Sequence, residues 1–461
     1  MASILLGYTP LFFKLLIIAI AIVPFVFTNI IKSRDYWLII GLGATLYVSK
    51  IPLPILDALH IGYLVNAMLL GLLFAELAMK KLMRPRIFDT FPNRCMALFA
   101  MIITARFIID RPGSGAMGGT GGLSSALPAL LAGWCFFSIY VLARDFKISI
   151  KQFRILYAMA IIGLVHIIYK NLFYFIPKGH FISIFPYPSV WVIGFFPLSN
   201  LMHKIKGKDD IALNIKIYAI SVVIILLSVI SKNRAPIIYA PAALLVIYWC
   251  YRKVNRYIII ISLGLLTLIT LTTFFPSVIP KSAVRTLSLV SSQLTNSTTD
   301  EYGETGWQSD WRTTLAKIAW EDIKRHPIAG KGFSFSFEEL QYNVMIANTG
   351  DAARFGGLLS SGGYHNSILF LAVKVGIPAT LVFVLALINI FYRFLRFSRY
   401  TQDDKLKPFC VGISAVFVCT IAKMLTNGGP IDAFSTSVMM ATMQGILMES
   451  RNYKHKESDT L

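Results

Sequence analysis

Apolar runs of about twenty residues, parted by short polar gaps, recur along nearly the whole chain. A helix that crosses a bilayer needs about 20 consecutive apolar residues. The pattern therefore predicts spans at 11–31, 36–54, 59–79, 94–110, 123–143, 155–176, 182–201, 211–230, 235–251, 257–275, 366–390, 408–426 and 432–449. Pro186, Pro188 and Pro197 interrupt 182–201, and a broken helix is tolerated only where protein or a cavity shields it; the count is twelve or thirteen. The run Leu11 to Thr28 has no small-residue cleavage site after it and reads as a retained helix. One long segment, Pro276 to His365, departs from the pattern. Inside it Trp311, Leu315, Ile318 and Asp322 share one helical side, with Arg312, Ala316, Ala319 and Ile323 on the adjoining one. Ser309 or Asp310 is the expected N-cap and Pro327 the stop, followed by a turn at Gly330-Lys331-Gly332. The expected fold is an all-α polytopic membrane protein in three parts: an N-terminal transmembrane bundle over 1–276, a large, partly helical loop over 277–365, and C-terminal transmembrane helices with a short tail over 366–461.

Composition agrees. Of 461 residues 56% are hydrophobic and 15% charged, with a mean hydropathy of +0.65, which excludes the soluble globular class. A formal net charge of +21 would suit nucleic acid, but the cations gather in short gaps between spans, as in Arg252, Lys253, Arg256 and in Arg393, Arg396, Arg399, Lys405, Lys407. That is the positive-inside signature of cytoplasmic loops, so nucleic acid is not an expected partner. The long loop balances its charges and belongs on the periplasmic side, with the C-terminus cytoplasmic. The five cysteines all lie in or beside apolar runs without paired Cys or His spacing, so no disulfide framework, metal site or cofactor is expected. A glycine-rich stretch at 111–122 lacks P-loop spacing and reads first as a surface linker.

Several cations stand where the charge rule does not want them: Lys50, Arg106, Lys170, Arg234, Lys374 and Lys423. An intramembrane charge costs about 2.5 to 3.5 kcal/mol on insertion scales, which makes each a functional candidate unless it snorkels or pairs locally. Arg106 has Asp110 at the i,i+4 spacing. Arg234, in the turn Ser231-Lys232-Asn233-Arg234-Ala235-Pro236, has no acidic residue between Ile211 and Arg256. Its planar fork suits phosphate oxygens. Arg312, placed in the first turn of a helix, opposes the helix dipole unless an anion binds there. His365 opens an apolar helix, where the dipole favours a neutral imidazole fit to act as a general base.

At these residues the chain resembles the superfamily of O-antigen ligases and polysaccharide polymerases. The resembling stretches are Ser231 to Pro236, Asp310-Trp311-Arg312 through His326-Pro327-Ile328-Ala329-Gly330-Lys331-Gly332, and His365-Asn366-Ser367-Ile368-Leu369 with Gly376 downstream. The resemblance implies a GT-C-like bundle in the bacterial inner membrane, with part of its active site on the periplasmic loop. It implies an undecaprenyl-diphosphate-linked glycan donor, an acceptor that is another glycan or the lipid A core, and metal-independent, inverting transfer. Arg234, Arg312 and His365 are similar to the family's catalytic residues; Lys232, Arg106, Lys374, Asn366 and Tyr364 are further candidates for contacts with the diphosphate. The first motif departs from Ser-Arg-Gly, with Lys232-Asn233 before the arginine and Ala235-Pro236 after it. A lipid-linked oligosaccharide flippase is the competing reading; it calls for an inverted repeat, and none is visible in the sequence.

Overall fold

The computed structural model describes residues 90–110, 121–144, 150–170, 188–205, 211–230, 236–274, 305–333, 364–426 and 428–458, with a few further residues at 39–40, 42–43, 65–71 and 88. Every regular element among them is a helix. In chain order these are α1 (Phe91–Asp110), α2 (Gly121–Arg144), α3 (Ile150–Lys170), α4 (Pro188–Lys204), α5 (Ile211–Ile230), α6 (Pro236–Cys250), α7 (Val254–Phe274), α8 (Thr305–Arg325), α9 (Ser367–Val375), α10 (Ile377–Tyr400), α11 (Leu406–Thr426) and α12 (Pro430–Ser458). Ten of the thirteen expected spans have a described counterpart; of the other three, 11–31 lies outside the described residues, and 36–54 and 59–79 are described only in part.

The reason these helices form a membrane bundle is visible in what they leave uncovered. On α10, Leu381, Leu385, Ile388 and Tyr392 recur at helical spacing and are exposed, while Ala379, Phe383, Ala386, Leu387, Ile390 and Phe394 are buried on the opposite side. An apolar stripe left exposed on a helix whose other face is also apolar faces lipid, not water. Among the described residues four helices are long and apolar enough to cross: Phe91–Asp110, Ile211–Ser228, Ile377–Tyr400 and Leu406–Thr426. The chain is an all-α polytopic membrane protein.

The centre is α11, whose apolar window is 67% buried. It packs against α4, α6, α10 and α12, and α12 lies along α2. Several hydroxyls inside this core are satisfied within the bundle, as a bilayer favours. Ser414 and Thr420 donate to carbonyls one turn back at 2.8 and 3.0 Å, and Ser199 donates to Pro408 O at 2.9 Å.

Two elements differ from expectation. The run 366–390 is not one helix: it breaks at Gly376, where φ 88° and ψ 166° lie in a region open essentially to glycine alone. The crossing helix is thereby α10, which carries Arg393, Arg396 and Arg399 inside it instead of in a gap. The loop helix α8 starts at Thr305, so Ser309 and Asp310 lie within it and are not caps, and Arg312 is beyond the first turn. Nothing from Trp307 to Asp310 breaks a helix, and Gly306 costs only about 1 kcal/mol even in a helix interior. The stop was as expected: the helix ends at Arg325, just ahead of His326-Pro327.

Candidate functional site

The short helix α9 is held at both ends. At its start Asn366 is extended, with φ −153° and ψ 115°, and its Oδ1 accepts from the N–H of Ile368 at 2.9 Å and of Leu369 at 3.1 Å. Asparagine is among the best N-cap residues because it satisfies amides that no helical carbonyl can reach. Ser367 Oγ donates to Gly429 O at 2.8 Å in the turn between α11 and α12. Asp432 fastens that turn: its Oδ2 accepts from Gly429 N at 3.0 Å, and its Oδ1 lies 2.9 Å from Lys423 Nζ. Lys423, one of the misplaced cations, therefore has a local partner.

Just before the cap, Tyr364 is buried and His365 has φ 52°. Positive φ is uncommon outside glycine, with histidine among the residues enriched there. The backbone thus turns sharply at the histidine, and the side chain is half-buried at the mouth of α9.

At the other end, residues 326–333 lie against the α9–α10 break. Lys331 N donates to Val373 O at 2.6 Å and Gly332 N to Lys374 O at 3.1 Å, satisfying last-turn carbonyls of α9. Ile377 N, opening α10, donates to Pro327 O at 2.9 Å. Both the break and the segment are needed for this fit, since a Cβ on Gly376 would lie 2.0 Å from Ile328 O.

The segment is also clamped to α1. Arg106 Nη2 donates to Gly330 O at 3.2 Å, Asp110 Oδ2 accepts from Phe333 N at 2.7 Å, and Arg106 Nε lies 3.1 Å from Asp110 Oδ2. Gly332, at φ 90°, passes so close that a Cβ would sit 2.4 Å from both side chains. Lys331 Nζ reaches back to Asp322 on α8 at 3.2 Å. Beyond this knot α8 packs on α9, and Leu315, Ala319 and Ile323 on α8 are buried, as is Phe333.

Of the residues expected at the site, the structure places Tyr364, His365 and Asn366 at the head of α9, and Lys374 on its last turn, about 13 Å away at 1.5 Å per residue, with Arg106 beside that far end. Lys374 is 2% exposed, on the last turn of α9. Arg106 has the local partner its spacing foretold and a structural bond to Gly330 besides. Arg312 stands on α8 in register with Ala319 and Ile323, two and three turns on, the side that meets α9; its side chain lies outside what is described. Arg234 and Lys232 fall outside the described residues, in the connection between α5 and α6. Sequence reasoning missed Asp110 as the anchor of the loop and Asp432 as the anchor of the turn beside Ser367. The signal for the first was present: an acidic residue closing an otherwise apolar span. Among the described residues no group of three or more His, Cys, Asp or Glu could hold a metal ion.

No curated protein matches the chain. The family model described as O-antigen ligase matches residues 219–384, a stretch that runs from α5 into α10 and includes Arg234, Arg312, the 326–333 segment, His365 and Gly376. The elements that converge on α9 from within that stretch are thus the ones that match the family, and the match supports the O-antigen ligase superfamily for this part of the chain and a function of the ligase or polymerase type in surface polysaccharide assembly.

Proposed function

We propose that the protein is a glycosyltransferase that moves glycan from an undecaprenyl-diphosphate-linked donor to an acceptor hydroxyl, on another lipid-linked glycan or on the lipid A core. His365 takes the proton of the acceptor hydroxyl as its oxygen attacks the anomeric carbon. The bond from that carbon to the diphosphate breaks, and the electron pair leaves with the diphosphate, which remains on the lipid. Arg234 and Arg312 stabilise that developing charge. Attack opposite the leaving group inverts the anomeric centre. Asn366, Tyr364, Lys232, Lys374 and Arg106 shape the surroundings of the diphosphate, and no metal ion takes part. The site faces the periplasm, within the loop division 277–365, and the C-terminus faces the cytoplasm of a bacterium.

The observation that carries this reading is the packing of α8 on α9, with Arg312 in register with the buried Ala319 and Ile323 and His365 at the head of the partner helix. A diphosphate bound there would lie between the helix that carries Arg312 and the helix that His365 heads. Sidedness is supported by the cations Arg252, Lys253, Arg256 and Arg399, which gather at the far end of the bundle.

The test separates proton transfer from binding. Purified protein is assayed for lipid-diphosphate binding and for single-turnover transfer, with and without chelator. His365→Ala and His365→Gln are expected to retain donor binding while transfer falls by about 10² to 10⁴. Lost donor affinity with an unchanged transfer rate at saturating donor would remove the general-base role. Inhibition by chelator that a divalent ion reverses would replace the metal-independent mechanism.

A further inference from the structure

At the other end of α10 a pocket opens that the proposed reaction does not use. Helix α10 runs for 24 residues from the 326–333 knot to Tyr400, about 36 Å at 1.5 Å per residue. The pocket, of about 470 Å³, is lined by Arg252, Lys253 and Arg256 from the tight α6–α7 turn, by Arg399 from α10 and by Trp249. None of its lining residues is acidic.

Cations at this end of a membrane bundle are expected from the charge rule, but that rule asks only for exposed cations and not for a concave, ordered cluster of them. Here they are ordered. Arg399 Cζ sits 4.2 Å from the centroid of Trp249, a cation–π stack that fixes the guanidinium plane. Its Nε is buried and has no hydrogen-bond partner. The turn itself is forced: Lys253 N reaches Tyr248 O at 2.8 Å, and Arg252 adopts φ 57°, where glycine is the usual residue. Two carboxylates in the α10–α11 turn make contacts of their own. Asp403 Oδ1 accepts from Lys405 N and Leu406 N, both at 2.8 Å, and Asp404 Oδ1 lies 3.1 Å from His203 Nε2.

We propose that this pocket is a binding site for a phosphate group, with Arg399 and Arg256 contacting the oxygens, Arg252 and Lys253 adding charge, and Trp249 covering the apolar side. The phosphate belongs either to an anionic lipid headgroup or to a soluble phosphate compound. Guanidinium groups that line one pocket, with no acidic residue in that lining, are what such oxygens bind best.

The full-length protein in neutral detergent is tested with two probes: short-chain phosphatidylglycerol, followed by native mass spectrometry, and inorganic pyrophosphate, followed by calorimetry. The variant Arg256→Gln/Arg399→Gln is compared with Arg393→Gln/Lys405→Gln, which changes net charge equally outside the pocket. Loss of charge-assisted bonds predicts about a tenfold weaker interaction in the pocket variant and none in the control. A loss for phosphatidylglycerol alone identifies a lipid headgroup, and a loss for pyrophosphate alone a soluble phosphate. Equal binding of both probes by all three proteins overturns the site and leaves the cations as topology signals. Arg252→Asn guards against misfolding of the double variant, because Arg252 is exposed and asparagine suits its φ. It is expected to weaken the bound probe about threefold, and unchanged binding of both probes by this variant also overturns the site.

Discussion

Removing the Asp110 carboxylate should release the 326–333 segment while leaving the bundle intact. The carboxylate is 6% exposed and its Oδ2 serves two partners, the Arg106 guanidinium at 3.1 Å and Phe333 N at 2.7 Å. A hydrogen bond to a charged acceptor contributes about 1.5 to 3 kcal/mol, and breaking a buried ion pair from one side costs about 3 to 5 kcal/mol. Because one oxygen makes both contacts, the two costs overlap; Arg106 is also 20% exposed, so water partly compensates it. Asp110→Ala therefore costs about 3 kcal/mol. If the segment opens locally, its amides should exchange with deuterium about a hundredfold faster, at about 1.4 kcal/mol per decade. Asp110→Asn keeps an acceptor for Phe333 N and should cost about 1 kcal/mol. The assay is hydrogen exchange with mass spectrometry on peptides spanning 326–333, with α11 peptides as the internal reference. Arg106→Ala/Asp110→Ala should lose less than the two single variants summed. Native-like exchange of Lys331, Gly332 and Phe333 in Asp110→Ala would refute the clamp, and equal acceleration in α11 would show global instead of local loosening.

Two further outcomes are expected. Arg234→Lys and Arg312→Lys should each lose transfer activity on the order of a hundredfold at matched protein levels, since a point charge does not reproduce a bidentate fork on the developing diphosphate; near-native turnover in both would leave only nonspecific attraction. Ser297→Cys should react with a membrane-impermeant thiol reagent from the periplasmic side, against a low background because all five native cysteines are buried; labelling only after the inner membrane is permeabilised would reverse the proposed topology.

The helices were legible because a bilayer makes them local: every backbone group must be satisfied within its own segment, so length and apolarity suffice to find α1, α5 or α11. The break at Gly376 was not legible from hydropathy, since it depends on a φ of 88° inside a run that stays apolar on both sides. Its only local trace is the Gly376-Ile377-Pro378 order, a glycine followed by a proline in the first turn of the next helix. The start of α8 was misplaced because Ser309-Asp310 has the composition of a cap without the geometry of one. For the site, the i,i+4 spacing of Arg106 and Asp110 revealed their pair, while the bond from Asp110 to Phe333, 223 positions away, is tertiary and leaves no periodic mark. The same holds for Ser367 and Gly429.

His365 offers a case in which stability and activity are expected to part. Its φ of 52° places an L-residue in the left-handed region, at a cost of roughly 1 to 2 kcal/mol. Gly362 and Gly363 stand just before it, so the chain carries glycine nearby yet has histidine where the turn is made. Asn366 closes the helix through its own Oδ1 and does not depend on the imidazole. In backbone terms His365→Gly therefore removes the strain and returns about 0.5 to 1 kcal/mol to unfolded-chain entropy, leaving that contribution to stability unchanged or higher by up to about 1.5 kcal/mol. If the imidazole is the base, transfer should fall as far as in His365→Ala. A histidine that serves only packing would show the opposite coupling, with activity declining in step with the apparent Tm. The measurements are thermal unfolding in detergent and single-turnover transfer on the same preparations, and retained transfer in a stabilised His365→Gly protein would show that the turn, and not the imidazole, is what the site requires.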